Sequence, residues 1–278
     1  MALTDPVSPH ASDAELHRGP VKEPFLLHQR RILGALVIRE MNTRFGRDGI
    51  GFVWIVVEPL AFCFGVLIMW SLIKPEYEHG VRLAPFVMSG YMSLIMMRHY
   101  ISQFMNALQA NVGLMHHRQI APVHFYIARA CLEFLGTSAA FIVVYVILIA
   151  LDQVGPPKDY LSIYAGWLTV SWVGIGFALV LAGLAMKFEA MERIVPLIGY
   201  ILVPVSGAFT MVAWIPSSYR DIFLLFPFAH GIELIRHGIF GEFVATYYDI
   251  PYALLVGTIM NIVGLLLVAA GREELDVD

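Results

Sequence analysis

The sequence predicts an all-α polytopic membrane protein with six transmembrane helices, an amphipathic interfacial helix before them, and re-entrant periplasmic helices between spans five and six. Three observations carry that prediction. Of 278 residues, 58% are hydrophobic and 14% charged, with a mean hydropathy of +0.70, far from the balance of a soluble domain. Apolar runs reach the roughly 20 residues needed to cross a hydrocarbon core about 30 Å thick. The Lys and Arg residues gather on alternate connections, as they do when a chain threads a bilayer.

Residues 1–24, rich in Pro, His and acids, are expected to form a disordered extension, and they lack the apolar core and small-residue cleavage site of a signal peptide. Residues 25–278 are expected to form the membrane domain. Within it, Leu26–Phe45 reads as an amphipathic helix, with Leu33, Leu36, Val37, Met41 and Phe45 on a broad apolar face and Arg31, Arg39 and Asn42 opposite. Arg30 and Arg44 intrude on that face, and their long stems are expected to carry the charges out to water. Gly46, Gly49 and Gly51 then join this helix to span one.

Span one covers Phe52–Ile73 and holds Glu58 and Pro59 two turns inside its start. A carboxylate and a proline in hydrocarbon cost free energy that a plain anchor has no reason to spend. Span two, Ala84–Leu108, places Arg98 near its middle, followed by His99 and Tyr100, with Tyr91 two turns earlier on the same face. The connection Gln109–Pro122 offers Asn111 as a helix cap and Pro122 as a stop. Span three is His124–Leu151 and span four Leu161–Met186, where Gly174, Ala178 and Ala182 make a small-residue row that allows close helix contact. Pro196 and Pro204 interrupt span five, Ile194–Val212. Between it and span six, Pro251–Gly271, the stretch Ile222–Phe240 is apolar yet holds Pro227, His230, Glu233, Arg236 and His237, too polar to cross alone.

Of the 18 Lys and Arg residues, seven precede Phe52. With six spans both termini share a side, which then carries twelve of these cations against five opposite, so both termini are expected in the cytoplasm.

Several function classes are disfavoured. A net charge of −4 with no basic patch gives no nucleic-acid footprint. Cys63 and Cys131 lie in apolar runs and read as small buried hydrophobes, not a disulfide. A phosphate-cradling loop needs a Gly-Lys pair, and the sequence contains none, so the chain is expected to be no enzyme by itself and to draw energy from a partner. His230, Glu233 and His237 share roughly 60° of one helix face, as zinc ligands can. They lack the H-E-x-x-H order and stand beside Arg236, so no metal and no catalytic set is expected. Arg98 remains the sharpest candidate for meeting a substrate, because its planar fork suits a sugar carboxylate or a lipid phosphate. Its alternative role is to pair with Glu58 or Glu133 and fix helix packing. Glu58 in turn can bridge Arg44 or Arg47 and pin the interfacial helix.

The run R-E-M-N-T-R-F-G-R-D-G-I-G-F-V-W beginning at Arg39, with Glu58-Pro59 after it, resembles the N-terminal signature of ABC-2 family polysaccharide export permeases, in particular the inner-membrane permease of capsular polysaccharide exporters. Three further segments agree in order: Q-A-N-V-G-L after span two, I-A-R-A-C-L-E over Ile127–Glu133, and P-F-A-H-G-I-E-L-I-R over Pro227–Arg236. The resemblance covers about Leu33 to Glu274.

It implies a half-transporter in the bacterial inner membrane, two copies of which pair with two ATP-binding subunits that hold the ATP and Mg; no cofactor sits on this chain. The implied cargo is lipid-linked capsular polysaccharide, passed on to periplasmic adaptor or co-polymerase and outer-membrane polysaccharide export proteins. By the same resemblance, Asn111, Gly113, Leu114 and Arg118 meet the ATPase, and Arg39, Arg44, Phe45, Gly46, Glu58 and Pro59 form the gating motif. Arg98, His99, Tyr91 and Tyr100 line the substrate path, His230, Glu233 and Arg236 belong to a periplasmic gate, and spans one and five make the dimer contacts. The rival readings are an ABC-2 exporter of a lipid or drug, and a membrane-embedded glycan- or lipid-modifying enzyme built on Arg98-His99.

Overall fold

Apolar length and proline placement dictate where the helices fall. The computed structural model describes residues 25–45, 50–107 and 121–275. In chain order they form α1 (Phe25–Phe45), α2 (Ile50–Ile73), a two-stranded hairpin of β1 (Tyr77–Glu78) and β2 (Val81–Arg82), α3 (Leu83–Met105), α4 (Pro122–Ala150), α5 (Tyr160–Lys187), α6 (Ala190–Val205), α7 (Ser217–Phe223), α8 (Pro227–Phe240) and α9 (Ile250–Leu275). Pro122 and Pro227 sit at the first turns of α4 and α8, where a missing N–H costs nothing. The Asp159 carboxylate caps α5 by accepting from Leu161 N at 2.9 Å.

Among the described residues four helices, α2, α4, α5 and α9, are long and apolar enough to cross a membrane. α3 matches them in length at 23 residues, but Ser89, Ser93, Arg98 and His99 dilute its apolar character. The fifth expected span falls short: α6 stops at Val205, not Val212, because Pro204 ends the ladder and Gly207 turns the chain with φ +81°. α7 and α8 follow as a pair bent by 111°, the geometry of a broken or re-entrant span. The hairpin after α2 was not anticipated; His79 and Gly80, both at positive φ, make its two-residue turn.

α5 is the hub, packed against α9, α8 and α3. Its approach to α9 leaves no room for side chains: a Cβ added at Gly183 would meet Leu267 Cβ at 2.5 Å, and one at Gly264 would meet Leu179 Cβ at 2.5 Å. The Gly174 row faces α3 within the chain, Gly174 lying against Tyr100 and Met97. It is therefore ordinary internal packing. α2 buries little of its surface and turns Trp54, Phe62, Ile68 and Leu72 outward. Both cysteines are free; Cys63 is buried, whereas Cys131 is exposed, contrary to the sequence reading, because α4 presents that face away from its neighbours.

α1 runs alongside α4 in the same direction, from Gln29 beside His124 to Arg44 beside Glu133. One end of the molecule gathers α1, the end of α3, the start of α4, the end of α5 and the start of α6; the opposite end carries the hairpin.

Candidate functional site

At the α1 end, α3 and α6 stand apart around a cavity of about 410 Å³ lined by Arg98, Ser102, Asn106, Glu192, Pro196 and Tyr200, among others. The spacing on each helix explains the lining: 98, 102 and 106 rise along one face of α3, and 192, 196 and 200 along one face of α6. Arg98 is exposed to the cavity, with its guanidinium 5.9 Å from the centroid of the Tyr200 ring. Met105 ends α3 seven residues later, so Arg98 lies roughly 10 Å from that end, closer to it than a mid-span position. Hydroxyl and amide groups from Ser102 and Asn106 accompany the guanidinium. Such a lining can hold an anionic, hydroxyl-rich molecule: the fork of Arg98 takes a carboxylate or phosphate, and the Tyr200 ring offers a flat face to sugar C–H groups.

Beside this cavity the charged groups are tied up in a buried two-layer ladder. In the first layer Glu40 of α1 accepts from Arg129 of α4, at 3.2 Å to Nε and 3.4 Å to Nη2, and Arg129 also donates to the Gln103 carbonyl of α3. In the second, Arg44 of α1 donates to Glu133 of α4, which also accepts from His99 Nδ1 of α3 at 3.0 Å. Arg44 Nε lies 3.5 Å from Glu40 Oε2, linking the layers. Glu40, Arg129 and Glu133 are each less than 10% exposed. Desolvation on this scale is tolerated only because every acid meets two cationic or ring-nitrogen partners.

At the opposite end, α8 carries a second polar knot. Arg236, 0% exposed, donates to the carbonyls of Gly207 at 2.9 Å, Ala208 at 2.7 Å and Thr210 at 3.1 Å, pairs with Glu233 at 3.3 Å, and stacks 4.4 Å over the Phe86 ring. Glu233 accepts from Val212 N and Tyr247 N, and His230 binds the Leu224 carbonyl and the Asp249 N–H, each at 2.8 Å. These side chains thus hold the loops on either side of α8 by their backbones. His237 Nδ1 lies 3.4 Å from the Thr246 hydroxyl. No group of three or more His, Cys, Asp or Glu residues suited to a metal occurs among the described residues.

The expected substrate-path residues separate. Arg98 faces the cavity and His99, on the adjacent face, joins the ladder. Tyr100 is fully buried with its hydroxyl 2.8 Å from Ser171 Oγ, and so packs between α3 and α5. Tyr91 lies 5.9 Å from Phe209, which stacks on Trp70 at 4.8 Å. The alternative pairing of Arg98 with Glu133 does not form, since Glu133 is occupied by Arg44 and His99.

In the gating motif, Arg39 is on the exposed side of α1, and Arg44, half-buried, turns inward to Glu133 and does not pair with Glu58. The reason is proximity: Glu40 and Glu133 offer carboxylates at the same level, which compensate the guanidinium better than a stretched stem does. Glu58 is half-buried without an ion pair among the described residues, and α2 continues unbroken through buried Pro59. Phe45 closes α1. Gly46, Arg47 and Gly49, with Asn111, Gly113, Leu114 and Arg118, lie outside the described residues.

Glu40, Arg129, Glu192 and Tyr200 were not singled out in the sequence. A signal for the first two existed: E-M-N-T-R and R-A-C-L-E each place opposite charges four residues apart on one helix face. Glu192 and Tyr200 had no such signal, since only the approach of α6 to α3 brings them to Arg98.

Comparison with known proteins gives a consistent set of relatives. The ABC-2 type transporter family profile matches residues 32–240. The capsule polysaccharide export inner-membrane protein CtrC of Neisseria meningitidis serogroup B is 33% identical over 241 residues, 87% of this chain and 91% of that protein. The capsule polysaccharide export inner-membrane protein BexB of Haemophilus influenzae is 33% identical over 240 residues, covering 86% and 91%. The polysialic acid transport protein KpsM of Escherichia coli is 24% identical over 246 residues, covering 88% and 95%.

Proposed function

Because this chain belongs to the ABC-2 type transporter membrane family, we propose that it is the transmembrane subunit of an exporter that moves lipid-linked capsular polysaccharide across the bacterial inner membrane. ATP is hydrolysed on a separate subunit; this chain supplies the conduit. The working assembly is two copies of this chain with two ATP-binding subunits, delivering to periplasmic adaptor and outer-membrane export proteins.

In this reading α2, α3, α4, α5, α6 and α9 cross the bilayer, with both termini and the α1 end in the cytoplasm, and α7–α8 dips in from the periplasmic side. α6 spans with only 16 residues because the loop after it is held in place by Arg236. Non-helical backbone at membrane depth is tolerable where protein groups satisfy it.

The observation that carries the conduit is the cavity between α3 and α6, where Arg98 stands beside Ser102, Asn106 and Glu192 with no ion pair to a carboxylate among the described residues. A cation so placed is compensated when an anionic cargo passes. Arg98→Ala, in a strain whose own copy is deleted and with subunit assembly checked by co-purification, is expected to abolish surface capsule, and Arg98→Lys to restore it only in part. Normal capsule with Arg98→Ala would retire the path. The structure of the cargo's anionic groups then follows from which glycan fragments bind the wild-type subunit and not the variant.

A further inference from the structure

The ladder at the α1 end has a property that its individual ion pairs do not. Each of its three helices contributes two groups one turn apart: Glu40 and Arg44 on α1, Arg129 and Glu133 on α4, His99 and the Gln103 carbonyl on α3. Both rungs between α1 and α4 join residues 89 positions apart in the chain, so the two helices run in the same direction through the contact. The polarity alternates between rungs, acid to base in the first and base to acid in the second.

That alternation forbids sliding. Moving α1 by one turn along α4 would bring Arg44 against Arg129, or Glu40 against Glu133, leaving like charges buried together. Separating one rung would strand a buried charge without its partner, which is costlier than the pair is favourable. α1 therefore cannot slip along α4, and through Gln103 and His99 neither can the last turns of α3. His99 is the neighbour of Arg98, so the α3 segment locked by the ladder is the one that presents Arg98 to the cavity.

We propose that this alternating ladder is the linkage that transmits displacement of α1 to the cavity wall, with Glu40 and Arg129 as positioning residues for transport. It rests on the exporter reading, in which force from the ATP-binding subunit enters at this end. Coupling of this kind needs an element that moves as one body between two arrangements, and the register lock supplies the body.

The test uses the intact complex with its ATP-binding subunit, and reads surface capsule in cells alongside ATP hydrolysis by the purified complex. Glu40→Arg and Arg129→Glu, singly, are expected to lower capsule by about tenfold, in the range typical of coupling between sites. Hydrolysis should stay within about twofold, so that the ratio of export to hydrolysis falls. The double change Glu40→Arg with Arg129→Glu restores opposite charges across the first rung but puts both bases on α1 and both acids on α4, so the alternation is gone and export is expected to stay as low as in the single variants. Should a single change prevent assembly, Glu40→Gln, which keeps the shape and removes the charge, is read in its place.

Export and hydrolysis falling together, single variants exporting like wild type, or a double variant that recovers wild-type export without the alternation would each overturn the linkage. Failure of the wild-type gene to restore capsule to a deletion strain would instead overturn the exporter reading, which keeps the two distinguishable.

Discussion

At the residue scale, the buried cations divide by what surrounds them. Arg129 and Arg236 are both nearly inaccessible, yet the first is held by a carboxylate and one carbonyl, the second by three carbonyls and an acid. Arg236 thereby gathers three carbonyls of the loop that follows α6, a task no shorter side chain can reach. Replacing it by Ala takes that donor from the three carbonyls and the cationic partner from buried Glu233, and the loss expected for breaking a buried pair is about 3–5 kcal/mol. Thermal unfolding of the detergent-solubilised subunit checks this, and a midpoint equal to wild type would show that the knot is dispensable. Arg98 behaves differently. It is accessible and faces a cavity, so its replacement is expected to spare folding and strike transport.

At the element scale, helix ends are where local chemistry and global position meet. Asp159 caps α5 at its start and Lys187 ends it, so the helix runs one residue beyond each end of the expected span Leu161–Met186. The Ser162 hydroxyl, and after it the Leu161 and Ser162 backbone, hold the Asp159 carboxyl below its usual range. A depressed carboxyl stabilises the fold above its unfolded-state value, and that contribution is lost as pH falls through the folded-state value. Asp159→Asn is therefore expected to lower the unfolding midpoint near neutral pH, and the two proteins should converge under strongly acid conditions. A gap that persisted or widened in acid would rule out the charged cap.

α6 teaches the opposite lesson. Its apolar run continues through Val212, but the helix ends at Val205, because Pro204, Gly207 and the pull of Arg236 on three carbonyls outweigh apolarity. The hairpin Tyr77–Arg82 was equally hidden. Two-residue strands carry too little pattern to read, and only the positive-φ turn at His79 and Gly80 betrays it.

At the scale of the whole molecule, the directions of the helices put the cavity and the ladder at one end and the Arg236 knot at the other. In the proposed orientation, with both termini cytoplasmic, a single cysteine introduced near the N-terminus of a Cys63→Ala, Cys131→Ala background should resist a membrane-impermeant maleimide in intact spheroplasts. One placed at Gly155, in the connection before α5, should react. The reverse pattern would invert the proposed orientation and place the cavity on the periplasmic side.

The sequence by itself determined the class, the family and the membrane character, because apolar length, cation asymmetry and the motif from Arg39 to Pro59 are local properties of the chain. It also held both halves of the ladder, as E-M-N-T-R and R-A-C-L-E, without revealing that they face each other. Spacing along one helix sets which side chains share a face, whereas the partner of that face depends on how separate helices approach. Only the tertiary structure decided that Arg44 turns inward, that Tyr100 packs on Ser171, that His99 displaces Arg98 as the partner of Glu133, and that α6 brings Tyr200 and Glu192 to the cavity. Each of those outcomes is a choice among competing partners far apart in the chain, settled by distance and desolvation once the helices are packed.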